Sequence, residues 1–438
     1  MLKNIIKQIW NQRRMNGWIL LELVIAGIFL WTIVDPMYVL GVYHFEPKGY
    51  ETEGRYVLQM GAYGTNNSKR DTTVTGEQMK DAFLNAIRIM RNCPEVGSAC
   101  LTTHASFPNS GSWNGAQYYP DTAKIKNKEY VHTQYYSFLN MEGSNMFQTY
   151  GMKNALTGEE IVIPADAVTR NIVYISEGFA RHMYGTIDAV GRKMYDYRKT
   201  EYEIAGVFNE YKHRDFEPYS PLVVRMEYKL TAPAEYIYFM YLIVIKLKEG
   251  VNAEAFEERF WKEEAPKMGM ANIYCKELTT FDKLRKDIAT EDGVYNVVRL
   301  KSALAIFTLM CIFLGMVGTF WIRCNARRQE VGLMRSMGAS RKGIVKRFLT
   351  ESTLLVTVAY VVSLLFLVHY AMEGNMHAIT GNGEPEFTII NPLLNDVPHF
   401  CMVSLITYLI LLLIALVGTI IPVKRAANVL PADALRDE

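Results

Sequence analysis

Residues 302–368 read SALAIFTLMCIFLGMVGTFWI, then RCNARRQEVGLMRSMGASRKGIVKRFLTE, then STLLVTVAYVVSLLFLV. Twenty-one residues without a charge, Ser302 to Ile322, precede a basic segment, and seventeen more, Ser352 to Val368, follow it. A helix needs about 20 apolar residues to cross the hydrocarbon core of a bilayer, so two spans joined by a short charged loop are expected. Arg323, Arg327, Arg328, Arg335, Arg341, Lys342, Lys346 and Arg347 lie between them. A loop so rich in Lys and Arg belongs on the cytoplasmic side. The part from Ala326 to Ser340 is too short for a domain and too patterned for filler, which points to a docking surface. A plainer reading is that its arginines fix topology and touch anionic lipid head groups.

Outward from this loop, Cys401 to Val423 gives a third apolar run of twenty-three residues, and Gly17 to Val34 a fourth of eighteen interrupted only by Glu22. The 438 residues carry a net charge of +2 and are half apolar, totals that hide this uneven distribution. Residues 1–40 hold four Lys/Arg against two Asp/Glu, residues 41–297 thirty against thirty-four, and residues 298–438 thirteen against nine. Lys3, Lys7, Arg13 and Arg14 place the N-terminus inside. Four crossings then put residues 41–297 outside, the 323–347 loop inside, the 372–398 loop outside and the tail inside. The first run is longer than a signal-peptide core and no A-x-A-like site follows it, so it reads as an uncleaved anchor ended sharply by Asp35-Pro36.

The expected domains are therefore three: a cytoplasmic segment and first span to about residue 40, an external α+β domain over 41–297, and a C-terminal membrane domain over 298–438. The last contains spans at about 301–323, 348–371 and 399–422, a loop at 324–347 and a tail from 423. In the external domain, Arg55 to Ala62 and Val96 to Thr103 read as strands around a helix from Gly76 to Arg91, whose Phe83, Ala86, Ile87 and Met90 recur at helical spacing. Tyr236 to Lys246, Asn252 to Glu264 and Ala271 to Leu278 repeat that strand–helix–strand pattern. The two units, within 50–130 and 226–280, flank an inserted subdomain at about 130–225. In the insertion, Ile161 to Pro164, Ile172 to Ser176 and Glu203 to Phe208 read as strands, and Ser176 caps a helix to Met183. Residues 104–130, rich in Gly, Ser, Asn and Tyr, read as an exposed loop. Phe281 to Leu300 is helical in pattern and runs into the second span, a mechanical connection.

Within the inner loop, Asn325 to Met337 is expected to be helical, Val331, Met334 and the pair Leu333/Met337 giving partly apolar faces at helical spacing, with Gly338 just past its end and Ser340 capping the next helix from Arg341. Glu351, a turn into the third span, is expected to pair with a loop arginine rather than relay protons. Glu22 has the same explanation through Arg13 or Arg14, and Gly315 and Gly318 are expected to permit close helix packing. Cys93 and Cys100, seven apart, could close a disulfide, remain thiols or, with His104, contribute to a metal site. Cys311, Cys324 and Cys401 read as small packing residues. The chain contains no H-E-x-x-H, no G-x-S-x-G and no G-x-x-x-x-G-K-[ST], so no catalytic residue, metal or cofactor is assigned. Nucleic-acid binding is also not expected.

ARRQEVGLMRSMGASRKGIVKRFLTESTLL resembles the cytoplasmic loop and third span of the FtsX-like permease family, the membrane subunits of MacB-type ABC systems. Arg328, Glu330, Gly332, Arg335, Gly338, Ala339 and Glu351 stand at the positions of that family's R-x-E-(I/V)-G-(I/L)-(L/M)-(R/K)-x-(I/M/L)-G-A segment and of the early Glu after it. The tail IPVKRAANVLPADALRDE is similar to the family ending, with Pro422, Ala426 or Ala427, Pro431, Ala434, Leu435 and Arg436 in place. VYISEGFARHMYG, DAVGRKM and YEIAGVF resemble segments of MacB-type periplasmic domains. The resemblance implies four spans, a periplasmic domain between the first two, and a homodimer or heterodimer that couples cytoplasmic ATP hydrolysis to periplasmic motion. It also implies that Arg327, Arg328, Glu330, Val331, Gly332, Met334, Arg335 and Gly338 form the loop seated on an ATPase. Without a phosphate loop, and with no room for an ATPase domain at the N-terminus, the ATPase is expected on a separate chain in the bacterial inner membrane complex. Export with a periplasmic adaptor and outer-membrane channel, lipoprotein release and control of a wall hydrolase all remain open, as does a membrane-anchored sensor.

Overall fold

A computed structural model describes residues 13–112, 114–139, 144–164, 167, 170–376 and 392–428, without the side chains of residues 13–16, 320, 323, 324, 328, 329, 427 and 428. Two compact units emerge, one of spans and one α+β. The helices are α1 (Arg13–Phe45), α2 (Gly76–Asn92), α3 (Thr122–Asn127), α4 (Met146–Tyr150), α5 (Glu177–Tyr184), α6 (Ile237–Met240), α7 (Ala253–Arg259), α8 (Phe281–Glu291), α9 (Val294–Ala326), α10 (Arg328–Ser336), α11 (Arg341–Met372) and α12 (Asp396–Asn428). The strands are β1 (Arg55–Ala62), β2 (Val96–Thr103), β3 (Gly115–Tyr119), β4 (Val131–Leu139), β5 (Ile172–Ser176), β6 (Lys193–Asp196), β7 (Glu201–Phe208), β8 (Leu222–Glu227), β9 (Tyr241–Leu247) and β10 (Ile273–Thr280).

In the membrane unit, α1, α9, α11 and α12 are each long and apolar enough to cross a bilayer. Their facing sides interlock through Ile19 and Leu23, Ile312 and Met316, Val356 and Ala359, and Leu411 and Ala415. The opposite faces carry exposed Leu21, Ile25, Leu314, Val361, Leu365, Leu409 and Leu413, as lipid-facing rows should. Cys311 and Cys401 also lie on exposed faces instead of packing inside. Gly315 does allow close packing: a Cβ there would fall 1.9 Å from a Glu22 carboxylate oxygen, whereas Gly318 faces open space. The first span does not stop at Asp35-Pro36. Pro36 lies inside α1, because a proline removes only its own amide donor and neighbouring helices can stabilise the result. Here Trp31 donates to Ser404 Oγ at 3.2 Å, and Asp35 Oδ1 lies 2.7 Å from His399 Nε2 of α12.

In the α+β unit, β10-β1-β9-β2 form an antiparallel sheet whose strands alternate between two cores. Tyr56, Leu58, Ala99, Leu101, Ile243 and Ile245 turn toward α2 and α7. Val57, Cys100, Leu242 and Val244 turn into a second core with Tyr136, Phe147, Tyr150 and Phe281. Helix α2 starts where Thr75 and Gln78 form a reciprocal capping box, and buries Phe83, Ala86, Ile87 and Met90. Strand β4 leaves the sheet beside β2 and closes a ring, β4-β3-β6-β7-β5-β8, by pairing in parallel with β8. Val173, Ile175, Phe179, Val207 and Val223 make that ring's core.

Several expectations fail here. Residues 104–130 are not an exposed loop: Phe107, Tyr118 and Tyr119 are buried, and the segment forms β3 and α3. Aromatic burial outweighs the turn-forming composition. Ile161 to Pro164 adopts no strand. The helix from Phe281 does not run into the second span, because Asp292-Gly293 separates α8 from α9 and Gly293 has φ +72°. For Cys93 and Cys100 the sequence leaves a disulfide, thiols and a metal site all open; both are free thiols, Cys93 in the core under α2 and Cys100 in the opposite one. Burial pushes the Cys100 thiol up to about 12, so it stays protonated.

Candidate functional site

The loop between the second and third spans is built from a helix break, a nine-residue helix and a capped restart. Helix α9 ends at Ala326, and Arg327 starts α10 in a non-helical conformation. At the far end Gly338 adopts φ +91°. Ala339 N–H donates to Met334 O at 2.9 Å and Gly338 N–H to Arg335 O at 3.0 Å. This paired arrangement closes a helix that ends in a left-handed glycine. Ser340 then caps α11, its hydroxyl accepting from Gly343 N–H at 3.0 Å.

The sequence treats Arg327 as a surface residue, yet it is 5% exposed. Its guanidinium grips Glu330 with Nε and Nη2 at 2.7 and 3.0 Å. Through Nη1 it reaches Glu351 Oε2 at 3.0 Å, and its Cζ lies 4.7 Å from the Phe348 ring centre. Glu351 is itself buried. Arg347 approaches Glu330 at 3.4 Å and Met334 Sδ at 3.2 Å. Beneath these charges Val331, Ile344, Phe348 and Val423 form a small core, with Met334 against it. Gly332 is buried as well, and Arg335 is half-buried. Thus Arg327, Glu330, Val331 and Met334 bind α10 to the bases of α11 and α12. The Arg328 side chain lies outside the described residues.

What faces outward is different: Leu333 is 52% and Met337 71% exposed. Spaced four apart, Leu333 on α10 and Met337 at its C-cap form one apolar stripe, followed by exposed Gly338 and Ala339. A short helix fixed on one side by a buried ion pair and apolar on the other is suited to receive a protein surface. The helical periodicity indicated both faces, but not which of the arginines was internal.

A second constellation escaped the sequence reading. Lys212-His213-Arg214-Asp215 follows β7 in the α+β unit, and each side chain is committed. Lys212 Nζ donates to Tyr43 O at 2.6 Å and pairs with Glu46 at 2.5 Å. Arg214 pairs with Asp292 at 2.7 Å, and Asp215 with Arg285 of α8 at 2.5 Å. His213 lies between Tyr136 OH at 2.6 Å on Nδ1 and Ser110 O at 3.2 Å on Nε2. Burial, with the Arg214 charge adding, pushes its imidazole down to about 4. The ring is neutral at pH 7 and donates from Nε2 to the carbonyl. Asp215 also accepts from Tyr50 OH at 3.3 Å. This tetrapeptide thus holds the C-terminal end of α1, through Tyr43 and Glu46, and α8, which precedes the second span. Its signal was four consecutive ionisable residues in an aromatic segment.

Residues 302–431 match the family described as FtsX-like permease C-terminal. No curated protein sequence matches the chain. Among solved structures, the periplasmic region of MacB from Actinobacillus actinomycetemcomitans aligns at 11% identity over 55% of this chain and 94% of that one, with a TM-score of 0.33. A domain of a putative permease protein from Porphyromonas gingivalis aligns at 15% identity over 53% and 92%, TM-score 0.31. The extracellular domain of the noncanonic ABC-type transporter YknZ from Gram-positive bacteria aligns at 8% identity over 50% and 100%, TM-score 0.30.

Proposed function

We propose, from the premise that this chain is an FtsX-like permease, that it is the membrane subunit of an ABC transporter whose ATPase is a separate chain. The exposed Leu333 and Met337 stripe on an otherwise locked α10 is the observation that carries this reading. Engagement of an ATPase would move α10. The Arg327–Glu330–Glu351 network and the Val331 core would pass that movement to α11 and α12 as a unit. Residues 43–46 and α8, both gripped by Lys212 to Asp215, are where span movement would enter the α+β domain.

In this reading the chain does no chemistry itself. It sits in a bacterial inner membrane with both termini cytoplasmic and the α+β domain periplasmic, in contact with membrane lipid and paired with a like or identical permease. Efflux through a periplasmic adaptor and outer-membrane channel is the leading role, with lipoprotein release or wall-hydrolase control as the second. The test is purification of the tagged chain from its native membrane, followed by an ATP hydrolysis assay, combined with labelling of Asn66→Cys by an impermeant thiol reagent. Asn66 is exposed. Co-purifying ATPase activity and external labelling are expected. Purification without any ATP-hydrolysing partner, or labelling only after inner-membrane disruption, overturns the reading.

A further inference from the structure

At the loop end of α11 and α12 lies an open groove of about 690 Å³. Its rim carries Arg341, Lys342, Lys346 and Lys424, and its wall includes Leu349 and Leu416. Among the described residues none of the four cations forms an ion pair with an acid, while the nearby Glu330 and Glu351 are engaged by Arg327. Lys342 and Lys346 are four residues apart, a like-charge spacing that weakens a helix. Their placement is therefore not explained by stability of α11.

Depth along the helices explains it. Lys342, Lys346, Leu349 and Thr353 follow one another on a single stripe of α11, so the surface changes from cationic to apolar. Between Lys346 and Thr353 the helix rises about 10 Å. On α12, Leu416 precedes Lys424 by eight residues, so the second helix is also apolar where it lies within the span and cationic where it emerges. Both helices are long and apolar enough to span a bilayer. A groove with cations at its mouth and leucines below matches one molecule type in its surroundings, a lipid with an anionic head and an acyl tail.

We propose that this groove is a binding site for an anionic glycerophospholipid of the adjoining leaflet. The phosphate sits among Arg341, Lys342, Lys346 and Lys424, and one acyl chain lies against Leu349 and Leu416. Occupancy neutralises the clustered charges at the foot of the helices that carry α10, so the composition of that leaflet would tune how firmly the α10 platform is held.

The test uses the full-length chain in neutral detergent with equal amounts of dioleoylphosphatidylglycerol and dioleoylphosphatidylcholine, read by native mass spectrometry. Selective retention of phosphatidylglycerol is expected. Changing Lys342, Lys346 and Lys424 to Gln in turn lowers that retention by about fivefold per charge, equivalent to about 1 kcal/mol each, with an unchanged melting temperature. Leu416→Trp fills the groove, keeps every cation and also lowers retention. Three outcomes overturn the site: equal retention of both lipids, indifference to Leu416→Trp while the charge variants respond, or displacement of the lipid by excess inorganic phosphate.

Discussion

At the scale of single residues, the buried Arg327 is the centre of the membrane unit's loop. A buried ion pair that loses one partner leaves an uncompensated charge, at a cost of roughly 3–5 kcal/mol. Glu351→Ala should fall at the low end of that range, since Glu330 still holds two nitrogens of Arg327. Thermal unfolding in detergent checks this, and the Arg327→Ala, Glu351→Ala double variant should be less destabilised than the sum of the singles. In the α+β unit, Glu217 is pushed up to about 7 by burial, which Arg214, 3.7 Å away, only partly offsets. Its folded state therefore binds a proton more readily than its unfolded state between about pH 4.5 and 7. Stability from this group is full below about pH 4.5 and is lost as pH rises through 7. Glu217→Gln should leave stability unchanged at pH 4.5 and raise it by about 1–3 kcal/mol at pH 8; equal effects at both pH values would contradict the assignment. That Glu351 pairs with an arginine was legible from its place one turn into the span. Which arginine was not, because only the helix break after Ala326 turns residue 327 inward.

Elements with a strong local signal agree with their sequence pattern. Helix α2 has its capping box and its 3.6-residue apolar stripe, and it forms over Gly76–Asn92. Elements were misread where burial or a neighbouring chain decides the conformation. Residues 104–130 look like a loop by composition, yet Tyr118 and Tyr119 enter β3 because β4 and β6 pair with it on either side. The continuous helix from α8 into α9 fails at a single glycine. Gly293→Ala distinguishes the two conformations by sign. At φ +72° a Cβ costs about 1–2 kcal/mol, whereas in a continuous helix the same change would stabilise by about 1 kcal/mol. Thermal melting of the full chain should show a loss. The Lys212 to Asp215 segment makes a parallel expectation: Asp215→Ala removes charge-assisted bonds to Arg285 and Tyr50 and should cost about 2–3 kcal/mol, read in the same assay.

For the whole molecule, hydropathy alone located four spans and the α+β domain between the first two, because length and charge are local properties. Sheet order was beyond it. The closure of β4 onto β8 joins residues about ninety apart, and nothing in either strand names its partner. Likewise the apolar stripe of α10 was visible as periodicity, but its inner and outer sides emerge only when α11 and α12 cover Val331. The central claim is that the outer side receives an ATPase. Leu333→Asp with Met337→Asp places two charges on that surface without touching the Arg327 network. The measurement is ATP hydrolysis co-purifying with the tagged full-length variant, beside its melting temperature. The account predicts that hydrolysis is lost while the melting temperature stays within a degree or so of the unaltered chain, since exposed substitutions change stability by only about 0.5 kcal/mol. Undiminished co-purifying hydrolysis from a well-folded variant would contradict it.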